Sequence, residues 1–314
     1  MMIRMGVSRR DVLAALSGSI MTGSIVASAA TSEERRIAIT MDDLRWQDIP
    51  AAMRKDADQR LRAALDRHKV KAALFVIGEN GDTPEGRAIL REWSGRGHMI
   101  GNHTWSHRWY DKMPEEQFGA DILRCDAFVR QFPTFRPYLR FPMLKEGGTR
   151  ERRDWMRAFL KAHGYRNGAV TIDASDWYYD QRLRKCMKER AKFDVNLFRE
   201  PYLAHLWDRA TYYDRLAREV LGRGIPHTIL LHYNVLNSYF LGDAMDMFRM
   251  RGWQLVDAER AFQDEVFTRQ PDTAPAGESL VWALAKETGR YDSVLRYPGE
   301  DDVYEKPILD RLGL

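Results

Sequence analysis

The stretch RIAITMDD, residues 36–43, gives the first indication of a fold. Its first six residues alternate and are rich in β-branched side chains, which predicts a β-strand. The strand ends on Asp42 and Asp43, and adjacent carboxylates at a strand end point to different sides of the chain. They therefore suit two tasks, one as a metal ligand and one as a proton acceptor. Alone, an Asp-Asp pair more often forms a turn or a cap, so a functional role depends on what the neighbouring strands carry.

Short apolar runs and helical patterns alternate along the rest of the chain. This alternation predicts a parallel α/β sheet, open or closed into a barrel. About seven strands are predicted, fewer than the eight of a regular barrel. The further strands are predicted at 72–77, 99–102, 138–141, 169–172, 228–232 and 253–256. Helices are predicted at 53–69, 83–94, 114–131, 149–163 and 240–251, with a helical insertion at 178–224.

The N-terminal residues resemble an export signal. Arg9 and Arg10 precede an uncharged stretch, residues 12–26, and small residues follow at 27–29. This pattern predicts a secretory signal of the twin-arginine type over residues 1–30, and hence a periplasmic or extracellular protein. The uncharged stretch is short and rich in Gly and Ser, so stable membrane insertion of the mature chain is not expected. A mature N-terminus near residue 30 or 31 would support this interpretation.

Composition limits the possible functions. The chain has 314 residues, 44% of them hydrophobic, and a net charge of +4. These values indicate a globular protein and give no reason to expect a nucleic-acid partner. We expect the main domain at 31–260 and a C-terminal extension, 261–314, packed on it. Cys125 and Cys186 are the only cysteines. An exported protein can pair them, but the sequence leaves both states open.

A pair of histidines follows the third predicted strand. His103 and His107 are four residues apart, and on one turn of helix this spacing places both imidazoles on one face. Alone, the pattern also fits a solvated or capping pair. The position of the pair just past a strand end favours a metal site, because functional groups of parallel α/β enzymes lie at strand ends. Together with an aspartate, two histidines form a hydrolytic metal set with coordination positions left open.

Three more strand ends carry groups with useful chemistry. Arg140 ends the fourth predicted strand, Asp176 and Trp177 follow the fifth, and His232 ends the sixth. Each is ordinary alone. Together with the first and third strands, they deliver two aspartates, two histidines, an arginine, an Asp-Trp pair and a histidine to one edge of the sheet.

This order of motifs resembles the polysaccharide deacetylase (NodB-homology) family, carbohydrate esterase family 4. The resemblance runs from Thr40 to about His232 and implies a distorted (β/α) barrel. Two positions depart from the common pattern: Met41 stands where Phe is commoner, and Met143 follows Pro142 where many members have an aromatic residue.

The resemblance implies a role for each matched residue. Three residues would hold a divalent metal, usually zinc, with other transition ions possible: Asp43, His103 and His107. The catalytic groups would be the base Asp42, oriented by Arg140, and the acid His232, held in its tautomer by Asp176. Substrate would contact the backbone N–H of Met143 in the oxyanion hole, and Trp177, Leu230 and Leu231 beside it.

The activity implied is metal-dependent removal of N-acetyl groups from an amino-sugar glycan, a hydrolysis of carbon–nitrogen bonds other than peptide bonds. The expected partner is an acetylated glycan, and the sequence names neither the glycan nor the oligomeric state. The same groups can cleave an acetyl ester or another non-peptide amide. A third hypothesis is an inactive carbohydrate-binding protein. Its expected signature is loss of a ligand, base or acid, and none is lost here.

Overall fold

A parallel sheet of seven strands lies within residues 34–296 and 301–314, the part of the chain that the computed structural model describes. A short antiparallel pair, β5 and β9, lies apart from it. The strands are β1 Arg35–Asp43, β2 Ala73–Val76, β3 Met99–Asn102, β4 Phe135–Leu139, β5 Lys145–Gly147, β6 Arg166–Asn167, β7 Pro226–His232, β8 Trp253–Leu255 and β9 Ala276–Gly277.

Helices connect the parallel strands. Their bounds are α1 Arg54–His68, α2 Gly78–Gly81, α3 Pro84–Gly95, α4 Glu115–Val129, α5 Arg150–Ala162, α6 Asp176–Glu189, α7 Arg199–Leu221, α8 Val235–Met250, α9 Ala258–Ala261, α10 Leu280–Thr288, α11 Asp301–Tyr304 and α12 Lys306–Arg311. The start of helix α3 was predictable from its cap. The Thr83 side chain accepts from the Gly86 N–H, and Pro84 occupies the first turn. The predicted insertion at 178–224 is largely helical, as α6 and α7.

The sheet order is β6-β4-β3-β2-β1-β7, with β8 also paired to β1. Ile37 of β1 pairs with both His227 of β7 and Leu255 of β8, so β8 lies on the side of β1 opposite β7. Beyond β6, Ile172 forms a parallel bridge with Ile229 of β7. The two ends of the sheet therefore approach each other, and the predicted distorted barrel is confirmed.

The prediction of a strand at 169–172 was wrong in its position. The paired residues are Arg166 and Asn167, beside β4, and the later segment contributes only the Ile172 bridge. Gly168 separates the two, and its N–H donates to the Leu139 carbonyl at 2.7 Å. A Cβ at Gly168 would lie 2.6 Å from the Phe75 ring, so the chain passes too close to this ring for a regular side chain.

The Phe75 ring is closely packed between two glycines and a buried arginine. Its side chain is fully buried, and a Cβ at Gly101 would also meet its ring, at 2.5 Å. The Arg140 guanidinium carbon lies 4.3 Å from the ring centroid. The two glycines leave room for the aromatic ring, and the ring supports a buried cation that the next section places in the site.

The C-terminal residues contact the barrel at several points. Strand β9 pairs with β5, and the Glu278 N–H donates to the Leu144 carbonyl at 2.9 Å. Gly277 has φ +123°, and a Cβ there would lie 1.9 Å from the Leu144 oxygen, so only glycine fits. The Ser279 hydroxyl donates to the Thr171 carbonyl at 2.9 Å. The described residues form one compact unit.

Three further sequence predictions concern the chain as a whole. The predicted signal segment, residues 1–30, lies outside the described residues. Among those that are described, no helix is both long and apolar enough to cross a bilayer. Cys125 and Cys186 are both buried and free, so they do not form a disulfide with each other.

Candidate active site

The C-terminal ends of the parallel strands surround a cavity of about 470 Å³. Strand β1 brings Asp42 and Asp43 to it, the segment after β3 brings His103 and His107, and β7 brings His232. Arg140 and Asp176 do not line the cavity, but they bond to Asp42 and His232, which do. The structure therefore brings all the residues predicted as metal ligands and catalytic groups to one place.

Asp43, His103 and His107 form a group with the geometry of a metal site. One ligand atom from each lies within 4.8 Å of the others. The Nε2 atoms of His103 and His107 lie 3.3 and 3.2 Å from Asp43 Oδ1. That oxygen is buried and has no aligned hydrogen-bond partner among the described residues. Unpartnered buried oxygens are rare, and this one lies between two imidazole nitrogens, as a cation between them would require.

The charge states of this group also fit a cation. The His103 Nδ1 lies 2.7 Å from the Arg140 carbonyl. A carbonyl only accepts, so in the neutral ring the proton lies on Nδ1 and the lone pair on Nε2. Burial lowers the pKa of His107 to about 3, which keeps this imidazole neutral. Burial would raise the pKa of Asp43, but the nearby histidines outweigh it and hold the pKa well below its usual range.

The two histidines are not on a helix, which corrects the sequence prediction. Residues 103–109 form an irregular loop after β3. Thr104 and His107 have φ values of +64° and +53°, so the chain makes two left-handed turns within the motif. The Thr104 N–H donates to Asn102 Oδ1 at 2.8 Å, and the His107 N–H donates to Thr104 Oγ1 at 3.0 Å. Side-chain bonds to the loop backbone bring the rings together, with centroids 4.8 Å apart.

Arg140 holds the second aspartate of the first motif. Its Nη1 donates to both oxygens of Asp42, at 2.9 and 3.1 Å, and Nη2 donates to Thr40 Oγ1 at 3.2 Å. Nε donates to the Gly168 carbonyl. Both side chains are almost fully buried, at 1% and 3% exposure. Burial lowers the pKa of Arg140, yet this group remains a cation in proteins. Asp42 is thus fixed in orientation beside the metal-ligand group.

His232 is held by a buried carboxylate on the opposite side of the cavity. Its Nδ1 lies 2.7 Å from Asp176 Oδ1, and its backbone N–H donates to Asp176 Oδ2 at 2.8 Å. Burial would lower the pKa of His232, but Asp176, Asp43 and Asp42 outweigh it and raise the pKa to about 10. The ring is therefore protonated at neutral pH, with Nε2–H left for the cavity.

The predicted substrate contacts are only partly in place. Trp177 is 44% exposed, Met143 is 52% exposed, and Leu230 also lines the cavity. Met143 has φ +53° and ψ +20°, a left-handed conformation that turns the chain after Pro142. Leu231 does not line the cavity and packs in the hydrophobic core. Neighbouring residues of a strand point to opposite faces, so Leu230 and Leu231 cannot both face the substrate.

Several residues of the site were missed in the sequence. The Nδ2 atoms of Asn234 and Asn237 donate to Asp176 Oδ2 at 2.9 and 2.7 Å. Lys145 and Glu278 form an ion pair in the cavity wall. Asp173 also lines the cavity, and burial together with Glu278 raises its pKa to about 7. Asn234 follows His232 closely and is recognisable as the N-cap of α8, where its side chain accepts from the Asn237 N–H.

A second cavity of about 230 Å³ adjoins the first and shares Asp43, Trp177 and His232 with it. Its other charged lining residues are Arg45, Asp48, Asp180 and Arg184. The two cavities therefore meet at Asp43, Trp177 and His232.

Comparison with known proteins supports the likeness noted in the sequence. Residues 29–168 match the sequence profile of the family described as polysaccharide deacetylase. A peptidoglycan-N-acetylglucosamine deacetylase of Bacillus cereus is 32% identical over 73 residues, which are 23% of this chain and 26% of the relative. The match thus spans about a quarter of that relative's length.

The solved structure of a chitin deacetylase shows the same fold. The chitin deacetylase of Colletotrichum lindemuthianum superposes with a TM-score of 0.51 at 18% identity, over 74% of this chain and 89% of that one. A peptidoglycan deacetylase of Bacillus subtilis gives a TM-score of 0.48 at 19% identity, over 73% and 90%. The profile match ends before α6, yet the Asp176 and His232 geometry continues the same motif order to the end of β7. Residues 29–168 are therefore similar to the polysaccharide deacetylase family.

Proposed function

We propose that this protein is a metal-dependent hydrolase that removes N-acetyl groups from an amino-sugar glycan. One observation carries the proposal: the Asp43, His103 and His107 group lies between a carboxylate held by Arg140 and a protonated His232. A Lewis acid, a base and an acid are the three groups that amide hydrolysis requires. The family and the activity named for the Bacillus cereus relative support the same conclusion.

Asp43, His103 and His107 would hold the divalent cation, and a set of two histidines and one carboxylate suits zinc. When bound, the cation supplies Lewis-acid polarisation of the acetamido carbonyl. The protein's contribution is to keep the two Nε2 atoms and Asp43 Oδ1 turned toward one point. The His103 bond to the Arg140 carbonyl does this for one ring, and it also connects the ligand group to the residue that holds the base.

Asp42 would accept the proton from the attacking water. Arg140 spans both of its oxygens, so the carboxylate cannot rotate away from the cavity. The His103 Nε2 lies 3.7 Å from Asp42 Oδ2, so base and metal ligand are neighbours. A proton acceptor at this distance can act on a water without leaving its own ion pair.

His232 would donate a proton to the departing nitrogen. An amine anion is a poor leaving group, so this step must be coupled to bond cleavage. Asp176 accepts from Nδ1 and thereby directs Nε2–H into the cavity. The Met143 backbone N–H would contribute to the oxyanion hole, and Leu230 would contact the acetyl methyl. The exposed face of Trp177 would stack on a sugar ring.

The direct test is release of acetate from oligomers of N-acetylglucosamine by purified, metal-loaded protein. Acetylated xylan serves as the ester substrate beside it. We expect release from the N-acetylated oligomers, loss of release after chelation, and recovery on adding Zn²⁺. Release from the ester alone would support an O-acetyl esterase. Tight glycan binding without any release would support an inactive binding protein.

Asp176→Asn is expected to shift the pH dependence of kcat. Asp176 is the strongest of the groups that raise the pKa of His232, and a bound cation would offset the contributions of Asp42 and Asp43. Without Asp176, burial has the larger effect and the pKa of His232 falls. The protonated acid is then lost at lower pH, so the basic limb of the kcat profile should move down by more than one pH unit.

The matched control is Asp180→Asn, one helical turn further along α6. Asp180 is also buried, but it bonds to Arg184 and the Leu236 N–H and does not contact His232. The basic limb of the kcat profile of Asp180→Asn should lie at the same pH as in the wild type. An Asp176→Asn profile that keeps the wild-type limb would show that another group supplies the proton.

A further inference from the structure

Arg45 bonds to two of the three metal-ligand residues. Its Nε donates to Asp43 Oδ2 at 2.9 Å, and its Nη2 lies 3.0 Å from His107 Nδ1. Asp43 and Leu44 both have positive φ values, +83° and +50°, and this tight turn brings Arg45 back over the site. The side chain is 41% exposed on the side of the second cavity.

The bond from Arg45 sets the tautomer of His107. A guanidinium has only donors, so His107 Nδ1 must accept and the ring proton of the neutral imidazole lies on Nε2. Nε2 is the atom that faces Asp43 Oδ1, at 3.2 Å, and it is the one placed to bind a cation. A metal-binding nitrogen needs a free lone pair. The tautomer that Arg45 holds is therefore the one that cannot bind metal.

His103 shows the opposite arrangement in the same site. Its Nδ1 donates to the Arg140 carbonyl, which leaves Nε2 ready for a cation. The Arg140 carbonyl, an acceptor, thus favours the metal-binding tautomer of His103. Arg45, a donor, favours the tautomer of His107 that cannot bind metal.

We propose that Arg45 is a positioning residue that competes with the metal for His107 and lowers the affinity of the site. The proposal rests on the metal site assigned above. Binding a cation at His107 Nε2 moves the ring proton to Nδ1, where it meets the donor of Arg45. The guanidinium must then leave His107. The second cavity gives it room and offers the exposed carboxylate of Asp48 in its lining.

Two effects of Arg45 on metal affinity oppose each other. Its bond to Asp43 Oδ2 fixes the carboxylate and leaves Oδ1 free, which favours binding. Its bond to His107 must break, and its positive charge repels the cation at short range, which both disfavour binding. Arg45 bonds to Oδ2, whereas Oδ1 is the oxygen that already faces the two histidines, so the favourable effect is the smaller one. The unfavourable effects therefore prevail.

The experiment measures the dissociation constant for Zn²⁺ by competition with a chromogenic chelator, on metal-stripped protein. Arg45→Met keeps the length of the side chain and removes its donors and charge. We expect Zn²⁺ to bind about tenfold more tightly, in the range by which outer partners of ligands change affinity. Arg45→Lys keeps the charge but not the planar fork, so it should give an intermediate value.

Arg184→Met is the matched control. Arg184 lines the same cavity, has similar exposure at 38%, and bonds to Asp180 instead of a metal-ligand residue. The affinity of the Arg184→Met protein for Zn²⁺ should stay within about twofold of wild type. Unchanged or weaker binding in folded Arg45→Met protein would overturn the inference, as would an equal effect of Arg184→Met. Wild-type protein that binds no metal would instead contradict the proposed function.

Discussion

Asp42→Asn is expected to lower kcat for acetate release by about 10²–10⁴-fold, the usual contribution of a general base. The amide keeps the size and shape of the side chain but cannot accept the proton of the attacking water. Asp42 does not belong to the metal-ligand group, so bound metal should remain near one ion per chain. The measurement is kcat together with the metal content of the same preparation.

The substitution also removes the counter-ion of a buried arginine. Breaking a buried ion pair typically costs about 3–5 kcal/mol, so Asp42→Asn should lower the free energy of unfolding too. Asp214→Asn is the control for this effect. Asp214 is 4% exposed and pairs with Arg35 and Arg218 away from the cavity. It should lose stability yet keep kcat. If folded, metal-loaded Asp42→Asn kept kcat within a few-fold of wild type, the base would be another residue.

His107→Ala is expected to lose most of the bound metal, weakening affinity on the order of 10²-fold or more. Changes to the outer partners of ligands already cost about 10–100-fold, and this change removes a ligand from a set of three. Acetate release at limiting metal should fall in parallel. Metal content after dialysis and the dissociation constant for Zn²⁺ are the two measurements.

His98→Ala is the matched control for His107→Ala. His98 is fully buried outside the cavity, where its Nδ1 accepts from the Ala72 N–H. This variant should lose stability and keep its metal. Full metal occupancy in His107→Ala would show that the ion is held elsewhere.

The sequence was sufficient for the parts of the fold and site that depend on local pattern. Strand β3 was predicted with its observed bounds, and helix α3 within one residue, because apolar periodicity and caps act over a few residues. Residues at several strand ends were predicted to meet because parallel strands end at one edge of a sheet, and Asp42, Asp43, His103, His107 and His232 do line one cavity. The pairing of Arg140 with Asp42, 98 residues away, came from the family resemblance and not from a local signal.

The failures have physical causes. The spacing of His103 and His107 suits a helical turn, but the bonds of Asn102 and Thr104 to the loop backbone replace it. Residues 169–172 are apolar like a buried strand, yet the pairing with β4 is made by Arg166 and Asn167 before Gly168, which passes close to Phe75. Glu278 in the cavity wall depends on a contact between β5 and a segment about 130 residues later, and no local pattern encodes it.

The pairing of β9 with β5 has a consequence for the order in which the protein is made. The ribosome releases the N-terminal side of the chain first, so every motif residue through His232 is available before residues 276–278 emerge. The cavity wall formed by Lys145 and Glu278 is then completed only after residues 276–278 have emerged. A nascent chain stalled at residue 260, or a shortened gene product ending there, would carry all the motif residues and still leave one side of the cleft unfinished.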